Sequence, residues 1–325
     1  MQAIRLSRFG APDVLQPVEL PVPVPSAGEA LIRVRAAGVN YFEVLMRQDR
    51  YAVTPDLPMV PGVEAAGVVE AFGPGAAGPA PGTRVAAPLF AMGRAGGYAD
   101  YVTAEAAALV PLPDGLSFEA GAALMVQGLT ALHLLRRSPP QGKSILVNAA
   151  AGGVGSLLVQ LARSAGARQV IAAGGSPEKL DLARFLGADA AVDYRSTGWV
   201  DQVLAATAGA GVDIAYDLVG GPQTAACLGA LAPAGELVCA AMGRFELGKR
   251  EIEALLGRNQ SLKGFALLPL LTPGTLYADL GDLFVQAAAG ALKVVIGGRF
   301  PLARAAEAHE SLQSRRNVGK VVLVP

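Results

Sequence analysis

From Ser144 to Leu268, apolar runs of strand length alternate with amphipathic segments of helix length, an order that few folds accommodate. The strand-like runs are SILVNA, QVIAAG, AAVDY, VDIAYDLVG, GELVCAAM and SLKGFALL. Between them lie VGSLLVQLARSAG, SPEKLDLARFLGA, WVDQVLAATAG and PQTAACLGALA, each long enough for a crossover helix. Parallel strands need such crossovers, and the crossovers are right-handed, so reversing the winding at the first strand puts helices on both faces. The expected fold class is α/β: a doubly wound parallel sheet of the Rossmann type.

The first of these strands ends in NAAAGGVGSLLVQLA, so Gly152, Gly153 and Gly155 fall where a strand turns into a helix. Against the pattern G-x-G-x-x-G the positions are Ala150, Gly152 and Gly155, with alanine departing at the first. The middle glycine lets backbone approach a pyrophosphate, and the last lets helix and strand pack closely. The first-turn N–H groups of Gly153, Val154 and Gly155 face the anion at the positive end of the helix dipole. An enzyme that selects NAD places Asp or Glu at the end of the second strand, against the ribose 2'-hydroxyl. This chain reads IAAGGSPEKL there. Gly174 and Gly175 leave room for a 2'-phosphate, Ser176 and Lys179 offer a hydroxyl and a cation, and Tyr194 and Arg195 follow the third strand. The expected cofactor is NADPH.

Up to about residue 115, short β-rich runs such as ALIRVRAAGV are broken by Pro and Gly clusters, which predicts a mostly antiparallel β domain. The closing segment, with a helix over about 276–289 and a last helix-strand pair ending in VGKVVLVP, is expected to return to it. Lys plus Arg and Asp plus Glu are equal at 27, without long charged blocks, so neither nucleic acid nor an anionic membrane is an expected partner. The longest apolar stretch, Ala120–Leu135, is interrupted by Gln127, Thr130 and His133 and reads as too short to span a bilayer. With only Cys227 and Cys239 and no apolar signal core, a cytoplasmic location is expected.

GAPDVLQ, AAGVNYFEVLMRQDRY, PMVPGVEAAGVV, the AAAGGVG turn, LGADAAVDYR and NVGKVVLVP together resemble the zinc-independent quinone oxidoreductases of the medium-chain dehydrogenase/reductase superfamily. The resemblance runs along nearly the whole chain. It implies a GroES-like catalytic domain from residues 1–122 and 269–325, a Rossmann domain over 123–268, and a substrate cleft between them. It also implies a homodimer, and a small-molecule quinone or enone as substrate. By position it adds Asn40, Thr130, His133, Ala241, Met242, Phe265, Leu267 and Arg315 to the cofactor contacts.

The zinc-dependent branch of that superfamily uses Cys and His ligands, because Zn2+ favours S and N donors. Here Asn40 stands at the first Cys, Val63-Glu64 at the His-Glu pair, and the four-Cys structural lobe is missing, so no metal is expected. Glu64 reads as a hydrogen-bonded carboxylate supporting the site. Without a metal to hold an alkoxide, alcohol oxidation is disfavoured. A quinone or enone spreads the incoming charge, so hydrogen-bond donors suffice, and the resemblance puts Asn40 and Tyr51 in that catalytic place. The competing readings are an enoyl-thioester reductase and a crystallin-like nucleotide-binding protein without turnover.

Overall fold

The computed structural model describes residues 1–241 and 246–325; Met242, one of the expected cofactor contacts, lies outside them. The chain forms two units, Met1–Leu129 with Leu271–Pro325, and Thr130–Leu270. The first begins with β1 (Gln2–Leu6), β2 (Leu15–Glu19), β3 (Glu29–Val39), α1 (Tyr41–Arg47), β4 (Ala65–Phe72), β5 (Arg84–Ala87), β6 (Tyr101–Glu105) and β7 (Val110–Pro111). Helix α2 (Phe118–Arg137) starts in this unit and ends in the second. There follow β8 (Ser144–Asn148), α3 (Gly153–Ser164), β9 (Gln169–Gly174), α4 (Pro177–Phe185), β10 (Ala190–Asp193), α5 (Trp199–Ala206), β11 (Val212–Asp217), α6 (Pro222–Gly229), β12 (Leu231–Cys239), α7 (Lys249–Gly257) and β13 (Ser261–Gly264). The first unit is completed by α8 (Pro273–Ala288), β14 (Ile296–Pro301), α9 (Ala305–Gln313) and β15 (Lys320–Val324).

Among the described residues, the second unit's sheet has the order β10-β9-β8-β11-β12-β13, with every neighbouring pair parallel. This is the doubly wound arrangement expected from the alternating pattern. Strand β8 is buried at all five positions, as a central strand covered on both faces requires. The strand order reverses beside β8, and ligands of such sheets bind at that switch point. Asp217 ties β8 to β11 there, accepting from Asn148 Nδ2, from the N–H groups of Val219 and Gly220, and from Thr224 Oγ1.

In the first unit the sheet runs β14-β15-β3-β4-β5-β7, with β6 also on β3, and is antiparallel except for β14 beside β15. Its core packs Ile4, Ile32, Val69, Val85, Leu89, Leu109 and Leu323. Helix α1 starts at a capping box: Glu43 Oε2 accepts from the Asn40 backbone N–H at 2.9 Å. Helix α2 corrects one expectation. At 20 residues it is long and apolar enough to cross a membrane, but 67% of its most apolar window is buried inside the protein, as in a core helix.

Candidate active site

Four polar residues of the first unit meet in its interior. Lys320, from β15, is 3% exposed, and Glu64, just before β4, is fully buried. The Lys320 ammonium donates to Asn40 Oδ1 at 2.8 Å and to Gln127 Oε1 at 2.7 Å, and forms an ion pair with Glu64 Oε1. An ammonium has three hydrogens and no lone pair, so these three oxygens satisfy it and fix which way both amides face. The amide nitrogen of Gln127 then donates to Asn40 Oδ1 at 2.6 Å. Asn40 Nδ2 donates to Glu43 Oε2 at 2.9 Å and to Glu64 Oε1 at 3.0 Å. The Val126 N–H, from α2, completes the second oxygen of Glu64 at 2.9 Å.

This hydrogen-bond pattern corrects the expected role of Asn40. Both of its amide hydrogens are used, and it is 1% exposed, so it has no donor left for a substrate oxygen. Asn40 is a hub that positions its neighbours. Tyr51 keeps a hydroxyl that donates to none of the described residues; the half-buried ring lies 5.4 Å from Phe42, and burial raises its pKa, so it stays a protonated donor.

The network continues inward. Tyr98, fully buried, reaches Glu43 Oε2 at 3.4 Å and His309 Nε2 at 3.1 Å. Burial pushes the Glu43 carboxyl up to about 7, against its bond from Asn40, and Glu64's charge pushes the same way. Burial, followed by the Arg47 charge, takes His309 down to about 3. Burial also lowers Lys320, opposed by Glu64.

These shifts have opposite signs in a pH titration of stability. The native state binds more protons than the unfolded one at Glu43 between pH 4.5 and about 7, so that group's contribution falls as pH rises. At His309 the unfolded state binds more protons between about 3 and 6.5, so its contribution rises with pH. The two offset each other where the windows overlap. In Glu43→Gln only the rise should remain, and the stability difference from wild type should change by about 3 kcal/mol across the Glu43 window. Urea titrations at a series of pH values check this; a pH-independent difference would refute it.

In the second unit, Gly152 caps α3 and the first turn is Gly153, Val154 and Gly155. A Cβ on Gly155 would stand 2.3 Å from the Ala149 carbonyl oxygen and 2.7 Å from Ala150 Cα, so helix and strand are as close as only glycine permits. At Gly152 the nearest contact would be 3.2 Å, with open space beyond. The first-turn N–H groups have no partners within the helix, and the turn fits a pyrophosphate. At the end of β9, a Cβ on Gly175 would lie 3.1 Å from the Tyr194 hydroxyl, so the structure brings these two together. Ser176 caps α4, its Oγ accepting from the Lys179 N–H at 3.4 Å. Arg195 is held at 2.9 Å by Asp193.

The remaining expected contacts are dispersed. Thr130 and His133 lie on α2 in the second unit, His133 buried; Ala241 is two residues past β12. Phe265 and Leu267 are half-buried after β13, and Arg315 is exposed at φ 54°. Lys320, Gln127, Glu43, Tyr98 and His309 were missed as site residues. Lys320 carried a signal: it is the one charge in GKVVLV, an otherwise apolar strand pattern that demands a buried partner.

The family model described as an alcohol dehydrogenase GroES-like domain matches residues 26–114, and one described as a zinc-binding dehydrogenase matches 186–323. Zinc does not fit here: an ammonium and the Asn40 carboxamide meet Glu64, and no group of three His, Cys, Asp or Glu gathers among the described residues. A quinone oxidoreductase of Pseudomonas aeruginosa is 36% identical over 99% of both chains. Among solved structures, Escherichia coli quinone oxidoreductase complexed with NADPH is 30% identical with a TM-score of 0.91, covering 100% of each chain. The quinone oxidoreductase of Thermus thermophilus, described with its NADPH complex, is 36% identical with a TM-score of 0.85, again over 100% of each. With the doubly wound sheet, the antiparallel unit and full-length similarity in agreement, the chain belongs to the quinone oxidoreductase branch of the medium-chain dehydrogenase/reductase superfamily.

Proposed function

We propose that this protein is an NADPH-dependent reductase that transfers a hydride to quinones or α,β-unsaturated carbonyls without a metal, as a cytoplasmic homodimer. The observation that carries the reading is the end of β9: Gly174 and Gly175 stand where a carboxylate would select NAD, beside Tyr194, Ser176 and Lys179. The relatives named as quinone oxidoreductases, two of them described with NADPH, support it.

When bound, NADPH supplies the hydride. Gly152, Gly153, Val154 and Gly155 hold the pyrophosphate, while Ser176, Lys179 and Tyr194 with Gly175 form the 2'-phosphate pocket. Thr130, His133, Ala241, Phe265, Leu267 and Arg315 complete the cofactor contacts. Tyr51 gives a hydrogen bond to the substrate oxygen as negative charge develops, and Asn40 keeps the buried network in register. A quinone takes up the hydride and one proton from solvent to become a hydroquinone; an enone takes the same pair to become a saturated carbonyl. A second copy of the chain seated on the edge strand β13 would account for the dimer: Leu262 on that strand and Ile252 and Leu256 on α7 are exposed.

A panel of quinones, enals and enoyl thioesters, read by NADPH oxidation, tests the reading. Turnover of enoyl thioesters alone would favour the thioester reductase, and NADPH binding with no turnover the crystallin-like protein. In Lys179→Ala, affinity for NADPH is expected to fall about tenfold or more, the value of a charge-assisted phosphate contact, with NADH nearly unaffected. Equal losses would remove Lys179 from the phosphate pocket.

A further inference from the structure

We infer that a small cavity beside α1 and α9 is a binding site for one water molecule, held by Arg47 and His309, and that this water fixes the direction of the hydrogen bonds from His309 through Tyr98 to Glu43. The site lies wholly within the first unit.

The cavity measures about 20 Å3, and its wall includes Glu43 and Arg47 from α1, His309 from α9, and Leu6 and Met59. A water fits in roughly 10–15 Å3 and needs about two to four polar partners. Those partners stand on the wall. Arg47 is 1% exposed; its Nη2 donates to Gln313 Oε1 at 2.6 Å, but Nε and Nη1, both buried, donate to none of the described residues. His309, as deeply buried, has Nε2 at 3.1 Å from the Tyr98 hydroxyl, while Nδ1 has no partner among the described residues. Buried polar atoms are nearly always bonded, so three such atoms on two residues of one cavity wall call for a polar occupant. Glu43 lines the same wall, so an anion would meet a carboxylate there. Water, neutral and able both to accept and to donate, fits the mixed wall.

The guanidinium has only hydrogens to offer, so the water turns its oxygen to Arg47 and its hydrogens elsewhere. One hydrogen goes to His309 Nδ1, which is then the unprotonated nitrogen of a neutral imidazole. Burial, followed by the Arg47 charge, keeps that ring neutral. The ring proton is on Nε2 and goes to the Tyr98 oxygen, and the Tyr98 hydrogen is left for Glu43 Oε2 at 3.4 Å. The other groups bonded to Glu43, the N–H groups of Asn40 and Gly62 and Asn40 Nδ2, are all donors. Glu64 and Lys320 act on Glu43 with opposite signs, and the exposed Asp13 attracts Arg47. An ionised Glu43 is therefore a consistent end to the chain.

The sequence has two histidines, His133 and His309, so protein carrying isotope-labelled histidine shows two imidazoles in nitrogen NMR. The signals lost in His133→Gln identify the others as those of His309; if that variant fails to fold, His309→Gln makes the same assignment. At a pH well above the Glu43 value of about 7, His309 should show a protonated Nε2 and an unprotonated Nδ1. A high-resolution crystal structure should place one water within hydrogen-bond distance of Arg47 and Nδ1. In Arg47→Met that water should be lost and the single tautomer give way to a mixture; if the variant fails to fold, the wild-type measurements decide alone. A protonated Nδ1, a site without a water, a bromide ion there in crystals grown with bromide, or an unchanged tautomer in Arg47→Met overturns the inference. None of these measurements involves NADPH or an acceptor, so their outcome is separate from that of the turnover panel.

Discussion

Asn40→Ala is expected to lower stability by about 3–5 kcal/mol and turnover on the order of a hundredfold, the larger part of both coming from groups other than Asn40 itself. Truncation leaves the Lys320 ammonium and the Gln127 amide each short of an acceptor, and Glu43 and Glu64 each short of a donor. Buried polar groups left without a partner cost about 1–3 kcal/mol each, partly recovered by relaxation. The variant also loses the side chain that braces Glu43 at the cap of α1. Turnover falls because the segment leading to Tyr51 is no longer held. Urea unfolding and steady-state kinetics with a quinone and an enone check both parts. A variant within about 1 kcal/mol of wild type would show that the interior network tolerates a gap, against the usual behaviour of connected buried groups.

Gly155→Ala should cost at least on the order of a hundredfold in NADPH affinity, about 2.7 kcal/mol. The added methyl meets the Ala149 carbonyl oxygen at 2.3 Å and Ala150 Cα at 2.7 Å, both backbone atoms that no rotamer change can clear. Helix α3 has to move off β8, which withdraws its first-turn N–H groups from the pyrophosphate and adds about 1–3 kcal/mol of overpacking. Gly152→Ala is the informative contrast. Its methyl meets only one oxygen, at 3.2 Å, and the residue has φ −81°, so folding should be nearly normal. Titrating NADPH against both variants and measuring their unfolding separates the two effects; normal affinity in Gly155→Ala would mean that α3 does not set the pyrophosphate site.

The doubly wound sheet was legible because its strands and crossovers are local patterns, each complete within a dozen residues. The apolar stretch Ala120–Leu135 proves to be the body of helix α2, which is longer than the stretch itself and long enough to cross a bilayer. Strand β14 was not seen, and the reason is physical: two glycines in IGGRFP argue against a strand interior. A Cβ on Gly297 would meet the Val318 oxygen at 1.6 Å, so the glycine is there because the chain passes too close for any side chain. The short α1 is not marked by any long apolar period, though Asn40 and Glu43 have the spacing of a capping box. The glycine turn of the nucleotide site is a contiguous motif and could be read directly. The Lys320 cluster could not, because its members are brought together by the sheet: Lys320 and Glu64 are 256 residues apart.

That separation bears on how the protein is made. On a ribosome the chain emerges from its N-terminal end at roughly 5–20 residues per second and folds by units as they are completed. The second unit is one continuous stretch, Thr130–Leu270, and has all of its strands in hand once β13 has emerged. The first unit has no such independence: β3 waits for β15, and the Glu64 carboxylate waits for the only ammonium that contacts it among the described residues. Synthesis order therefore makes Glu64 a quality check on the nascent chain. Until Lys320 arrives, burying that carboxylate is too costly, so the antiparallel unit stays open to water and to proteases while the parallel-sheet unit is already folded. Arrested chains ending before β15 should yield a protected fragment from the second unit and none from residues 1–129.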